Sequence, residues 1–331
     1  MTFRAYVQSE AGKGEIAELS DDKLPTYSKD GDVTVRIDYS TLNYKDGMVL
    51  KGVGRLVRAF PHIPGIDFAG TVEQSGSPAY QPGDTVVLNG WRVGEAYWGG
   101  YAQRARVRAD WLVPLPKVFS TRQAMAIGTA GYTAMLALLA LEDHGLTPSN
   151  EGEVLVTGAS GGVGSIATAI LAKNGYKVAA ATGRAEQGDY LKALGATTIV
   201  PRAELEAAPS GPLATERWAA AIDNVGGTIL ANLLTGLKRG AACAAVGLAA
   251  SNELKTTVIP FLLRGVALLG IDSSATPFAR RKQAWDRLAR DLDPKLLESA
   301  VSEVALSDIA GYADKILKGQ VRGRIVVDVN R

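Results

Sequence analysis

VLVTGASGGVGSIATAILAKNGYKVAAATGR, residues 154–184, is the stretch that decides the fold. Residues 154–157 form a valine-rich apolar run, too short for a helix and suited to a buried parallel strand. Gly158, Gly161, Gly162 and Gly164 follow at once. Ile166, Ala169, Ile170 and Lys173 then mark a helix, and residues 176–181 read as a second apolar strand. Strand, glycine turn, helix and strand make one βαβ unit.

Glycines at a strand-to-helix turn let a pyrophosphate approach the backbone, where free N–H groups and the helix dipole favour negative charge. The dinucleotide fingerprint is G-x-G-x-x-G. Here Ala159 takes the first position, with Gly161 and Gly164 after it and Gly158 just before. The end of the second strand distinguishes the cofactors. An NAD site needs an acid there for the ribose 2′-hydroxyl, whereas a 2′-phosphate needs positive charge. The chain has Thr182-Gly183-Arg184, with Glu186 two residues on, so NADPH is expected. Arg202, after the apolar run 197–200, is a second candidate for the adenosine phosphate.

At 331 residues the chain is long for one core and suggests two domains. Hydrophobic residues at 47% and charged residues at 21% fit a globular protein. A net charge of +2 gives no reason to invoke nucleic acid. The single cysteine, Cys243, precludes an internal disulfide and suits a reducing compartment. The opening residues lack the apolar run of a signal peptide, so a cytoplasmic protein is expected. Residues 124–141 carry no charge and approach membrane-span length, but Gly128 and Gly131 interrupt them. A turn followed by a buried helix at 133–141 is the expectation, not a membrane span.

Up to about residue 115 the pattern is β-rich, with alternation at 32–38 and 102–107. Beyond about 125, strands alternate with helical segments. The strand candidates are 154–157, 177–181, 197–200, 219–223, 241–246 and 267–271. Such an alternation predicts an α/β fold with a doubly wound parallel sheet and the cofactor at the carboxyl ends of its strands. A helix at 277–292 and a last strand at 325–329 suggest that the tail returns to the first domain.

One cysteine and two histidines, His62 and His144, are too few for the usual zinc ligand sets. Hydride transfer to a conjugated C=C is then easier than to an isolated carbonyl, because donors can stabilise the charge on the carbonyl oxygen. Asn43-Tyr44-Lys45-Asp46 is the polar cluster best suited to that task. Tyr44 could donate to a carbonyl; equally, Asn43 could cap a helix with Lys45 and Asp46 solvated. Asp67 is an acid in an apolar setting, either functional or satisfying backbone amides of its turn.

These segments, with 64–70 (PGIDFAG), 128–134 (GTAGYTA) and Arg322-Gly323-Arg324, resemble the zinc-free, quinone oxidoreductase-like branch of the medium-chain dehydrogenase/reductase superfamily. Trp91-Arg92-Val93-Gly94 and Trp98-Gly99-Gly100 are similar to its bacterial subgroup of NADPH-dependent acrylyl-CoA reductases. The resemblance implies a GroES-like catalytic domain at 1–124 and 274–331 and a Rossmann NADPH-binding domain at 125–273. It implies reduction of acrylyl-CoA to propanoyl-CoA, catalytic Tyr44, Asn43 and Asp67, and a homodimer paired through 267–271. The implied cofactor contacts are Tyr44, Ser160, Gly161, Gly162, Val163, Thr182, Gly183, Arg184, Arg202, Leu248, Ser273 and Arg324. Lys51, Arg55, Arg58 and Arg92 are candidates for the phosphates of coenzyme A. A quinone or enone reductase and a non-catalytic NADPH-binding sensor stand as alternatives on the same fold. No nucleic acid or membrane partner is expected.

Overall fold

The computed structural model describes residues 1–28, 31–207, 211–298 and 300–331. In chain order, the front carries β1 (Thr2–Glu10), β2 (Lys13–Ser20), β3 (Asp32–Leu42), α1 (Tyr44–Leu50), β4 (Asp67–Ser75), β5 (Thr85–Asn89), β6 (Arg104–Arg108) and β7 (Leu112–Pro114). Helix α2 (Thr121–Asp143) leads into β8 (Glu153–Val156), α3 (Gly162–Lys173), β9 (Val178–Thr182), α4 (Gly188–Ala193), β10 (Thr198–Pro201) and α5 (Arg202–Glu206). Then come β11 (Trp218–Asp223), α6 (Gly227–Thr235), β12 (Ala242–Ala245), α7 (Ile259–Arg264) and β13 (Ala267–Gly270). The tail holds α8 (Phe278–Asp291), α9 (Lys295–Glu298), β14 (Val301–Ala305), α10 (Ile309–Leu317) and β15 (Arg324–Asp328).

Two compact units result. One comprises Met1–Thr129, Ser273–Ala289 and Leu297–Arg331; the other comprises Ala130–Asp272 and Arg290–Leu296. These bounds differ from the expected ones in three places, the smallest being Ser273, which falls in the first unit. Residues 125–129 join the first unit because a kink at Gly128 turns the Thr129 amide onto Asp67. Residues 290–296 cluster with the second unit, where Leu292 is buried.

The first unit is built on a seven-stranded sheet ordered β14-β15-β3-β4-β5-β7, with β6 also paired to β3. The alternation read at 32–38 is the reason β3 works as its centre: Val33, Val35 and Ile37 are fully buried on one side. The returning tail supplies β15 beside β3, pairing Ile325 with Leu42. Helix α10 packs on α1 so closely that a Cβ on Gly47 would lie 2.7 Å from Ile316 Cγ2.

The second unit holds six parallel strands in the order β10-β9-β8-β11-β12-β13. Numbered along the chain this is 3-2-1-4-5-6, the doubly wound order whose carboxyl edge takes ligands. The six expected strands are all present. Every residue of β9 is buried, which explains why that run is apolar without alternation.

Helix α2 corrects one expectation. Residues 128–132 are not a turn; helix lies on both sides of the single non-helical residue Gly128 (φ 52°, ψ −163°). By length and composition α2 could cross a membrane, but 89% of its most apolar stretch is buried inside the protein.

Candidate active site

In the second unit, the glycine turn between β8 and α3 has the shape a dinucleotide needs. Gly158 is left-handed (φ 57°). A Cβ on Gly164 would come within 2.4 Å of Gly158 O, so only glycine lets α3 pack this closely on β8. Ala159, in the place of the first fingerprint glycine, is fully buried and its N–H bonds to Ala181 O. Its methyl therefore points into the protein and leaves the turn open. Gly161 stands just before α3, so Gly162, Val163 and Gly164 occupy the first turn, where N–H groups lack helical acceptors.

At the end of β9, Arg184 donates from Nη2 to Ser160 Oγ (2.9 Å), and its backbone N–H bonds to Thr182 Oγ1 (3.1 Å). Residues separated by 24 positions thus meet in one half-buried cluster beside the glycine turn. The stem of Arg202 lies over Gly183, whose added Cβ would sit 3.2 Å from Arg202 Cδ. Arg202 also holds Glu206 (2.8 Å). Glu186 is exposed in the next short turn, off the end of the strand. Two arginines and two hydroxyls therefore gather at the end of β9, where a 2′-phosphate would need them, and the end of the strand itself carries no acid for a bare ribose.

Three residues not singled out from the sequence brace this edge. Thr157 Oγ1 donates to Asp223 Oδ1 (2.6 Å), Asn224 Nδ2 donates to Thr157 O (2.7 Å), and Asp223 Oδ2 accepts from Gly226 N–H (2.8 Å). Burial raises the Asp223 carboxyl above its ordinary pKa. Asn224 Oδ1 is buried and has no hydrogen-bond partner in the protein, an acceptor left for a ligand. Leu248, on the adjoining loop after β12, is 63% exposed.

In the first unit, Asn43, Tyr44, Asp67 and Arg324 do come together, but in different roles. Tyr44 opens α1 and is 47% exposed. Asn43, Asp46 and Asp67 are buried. Asn43 Nδ2 donates to both Asp67 Oδ2 (2.8 Å) and Asp46 Oδ2 (3.0 Å). Asp46 also accepts the N–H groups of Asn43 (2.8 Å) and Ile66 (2.9 Å). Asp67 further accepts from Asn89 Nδ2 (2.7 Å), Thr129 N–H (2.8 Å) and the Thr129 hydroxyl. Arg324 donates to Asn43 Oδ1 (3.0 Å), Thr41 Oγ1 (2.9 Å) and Ala126 O (3.1 Å).

Several expectations change here. Asp46 is not a solvated helix residue; it is fully buried, and desolvation together with the Asp67 charge pushes its pKa up to about 7. Its signal in the sequence was an acid three residues after Asn43, the spacing of a capping box. Asn43 and Asp67, expected among the catalytic residues, are buried and engaged in these hydrogen bonds. Arg324, expected at the cofactor, is 4% exposed and bonds inside this hub; burial lowers its pKa from the ordinary arginine value. Ser273 lies beside Gly90, and its carbonyl is within 3.5 Å of Arg281 Nη2.

No group of three or more His, Cys, Asp or Glu side chains among the described residues is arranged to hold a metal ion. Cys243 is buried in β12. His62 is buried, with Nε2 donating to Gly94 O (3.0 Å), and burial lowers its pKa. Every carboxylate oxygen of Asp46 and Asp67 already faces an N–H or O–H donor.

Two family profiles match the chain: an alcohol dehydrogenase GroES-like domain over residues 29–117 and a zinc-binding dehydrogenase over residues 162–290. The chain is 61% identical over 333 residues to the acrylyl-CoA reductase AcuI of Ruegeria pomeroyi, with 99% of each chain covered. Its fold matches the yhdH oxidoreductase of Salmonella enterica, solved in complex with NADP, at a TM-score of 0.92 and 50% identity, covering 98% of this chain and 99% of that one. It matches yhfP of Bacillus subtilis, solved with NAD bound, at 0.94 and 42% identity, covering 99% of each.

Proposed function

The chain belongs to the medium-chain dehydrogenase/reductase family, and from that premise we propose that it reduces the C=C bond of acrylyl-CoA to give propanoyl-CoA. It is an NADPH-dependent oxidoreductase. The cluster of Ser160, Thr182, Arg184 and Arg202 fits the extra phosphate, the turn at Gly161, Gly162 and Val163 fits the pyrophosphate, and Asn224 Oδ1 is ready to accept from the bound dinucleotide. The observation that carries the thioester reading is the near full-length likeness to the Ruegeria pomeroyi enzyme.

When bound, NADPH would supply a hydride to the β-carbon of the conjugated bond, and a proton taken up at the α-carbon would complete the reduction. Tyr44, an exposed residue at the start of α1 next to buried Asn43, donates from its hydroxyl to the thioester carbonyl oxygen, where negative charge develops as the β-carbon is reduced. Asp46, Asn43 and Asp67 fix the first turn of α1 and so hold that hydroxyl in place. The residues do not fit the zinc named in the second family profile, because the acids of the hub are saturated by donors; the proposed chemistry is metal-free.

The test is loss of reduced-nicotinamide absorbance with acrylyl-CoA beside a simple quinone at equal concentration. Saturable turnover of the thioester and little of the quinone supports the reading; the reverse pattern replaces it with a quinone reductase. Cofactor binding without any turnover would leave only a sensor.

We also propose a homodimer in the cytoplasm. Strand β13 is the edge of its sheet, and Val258, Leu262 and Leu263 beside it are 65%, 75% and 58% exposed. A bare apolar edge is a liability that pairing removes. A monomer by light scattering at micromolar concentration would refute the pairing.

A further inference from the structure

The arginines of this chain separate by what their guanidinium groups hold. Among the described residues, every arginine but three has a hydrogen-bond, ion-pair, ring or electrostatic partner. The exceptions are Arg55, Arg58 and Arg92, all exposed. They are not scattered. Arg55 and Arg58 lie on the loop that follows α1, and Arg92 lies on the loop that follows β5.

Both loops flank the helix that begins with Tyr44. The second is tied to α1 by the Lys45–Glu95 ion pair (3.0 Å). His62, just beyond the first loop, donates to Gly94 O in the second. Among the described residues no carboxylate forms an ion pair with the three arginines. Residues 51–60 contain no acid, and the one acid in 90–98, Glu95, is taken by Lys45. Lys51, the other basic residue of the first loop, is held by Asp314 (3.0 Å) and drops out.

The backbone adds a second, independent observation. The only non-glycine residues with positive φ among the described residues are Arg55 (49°), Trp91 (56°) and Arg92 (62°). Glycine adopts this conformation freely and arginine does not. The Arg92 turn is nevertheless firmly built. Its carbonyl accepts the N–H groups of Glu95 (3.1 Å), Ala96 (2.9 Å) and Tyr97 (3.2 Å). Trp91 N–H bonds to Ser274 O (2.9 Å), and the Trp91 ring stacks on the Arg281 guanidinium at 4.8 Å. A rigid turn that pays a conformational cost to present an unpaired cation is a preorganised binding element.

We propose that Arg55, Arg58 and Arg92 form a phosphate-anchoring rim for the nucleotide end of the CoA thioester. The guanidinium fork matches phosphate oxygens, and the long flexible arm of the thioester lets its phosphates sit on the rim while its acyl end reacts at Tyr44. Binding energy from this remote end then serves the reaction at the acyl end. The inference rests on the thioester reading above.

The experiment compares kcat/KM for acrylyl-CoA with that for the acrylyl thioester of N-acetylcysteamine, which has the same reacting end and no phosphates. Arg55→Gln, Arg58→Gln and Arg92→Gln are each expected to lower the ratio of the two roughly three- to tenfold, and the triple variant to lower it most. The wild-type ratio should fall as salt is added. Arg92→Gly is a second variant at the strained position; it removes the charge while relieving the backbone, so its Tm should not drop. An unchanged ratio in all variants overturns the rim. So does weakened NADPH binding with the ratio intact, which would assign the arginines to the cofactor. A wild type equally fast on both thioesters refutes the rim and keeps the thioester reading; a wild type inactive on both removes both.

Discussion

Arg184→Ala tests the cofactor assignment most directly. The guanidinium is half-buried, 2.9 Å from Ser160 Oγ, and its backbone is held by Thr182 Oγ1, so it waits in place before any phosphate arrives. Truncation removes one cation and at least one charge-assisted hydrogen bond to the 2′-phosphate. Such a bond contributes about 1.5–3 kcal/mol, which is roughly ten- to a hundredfold in affinity. Arg202 remains beside Gly183 and keeps the loss toward the lower part of that range. NADH has no phosphate at this position, so its affinity should move by less than about threefold. The assay is titration of the purified protein with each cofactor by nicotinamide fluorescence, followed by KM for both under turnover. Equal weakening for NADPH and NADH would refute the reasoning, since it would mean that Arg184 supports the turn through Ser160 and does not read the phosphate.

Tyr44→Phe removes only a hydroxyl and should lower kcat roughly ten- to a hundredfold with little change in NADPH affinity; an unaltered single-turnover rate would reduce Tyr44 to packing. Asp46 has a folded pKa of about 7 against about 3.9 for a free aspartate, so the folded state keeps a proton that the unfolded state has lost. Stability should therefore fall as pH rises between those values, by a few kcal/mol at most, and then level off; Asp46→Asn should flatten the profile of Tm against pH, and a parallel profile would contradict it. Gly128→Ala places a Cβ 2.6 Å from Arg324 Nη2 and 3.0 Å from Asp67 Oδ2 at φ 52°. It should destabilise the protein by about 2–3 kcal/mol in denaturant melts, and a neutral effect would show that the hub yields easily.

The parts of this protein that were legible in its sequence are those set by short-range rules. The glycine turn between β8 and α3 is readable because strand, turn and helix constraints all fall within a few residues of one another. The parallel strands are readable because burial on both faces makes each an apolar run, as β9 shows. What could not be read depends on distant partners. Asp46 looks solvated beside Asn43 and Lys45; it is buried because Ile66 donates to it and α10 closes over Gly47 from near the other end of the chain. Arg324 looks like an arginine in a turn, yet β15 pairs with β3 and delivers it to Thr41 and Asn43. Gly128 and Gly131 suggested a turn, but only Gly128 departs from helix, and it does so where α2 approaches the side chains of Arg324 and Asp67.

The hub is held together by hydrogen bonds among the protein's own side chains. In a zinc centre, acceptor atoms converge on one point and the ion binds them together. Here the opposite holds: donors converge on two carboxylates, and the neutral Asn43 amide joins them by donating to both while accepting from Arg324. Burial first, and then the charge of neighbouring Asp67, push the Asp46 pKa up to about 7. The arrangement locks the first turn of α1, the kink of α2 and the start of β15 into one piece. Tyr44, itself exposed, opens the first turn of α1 on that piece. On the role proposed for Tyr44, substitutions at Asn43, Asp46 or Asp67 should reduce kcat while cofactor affinity, built in the other unit, stays close to that of the wild type.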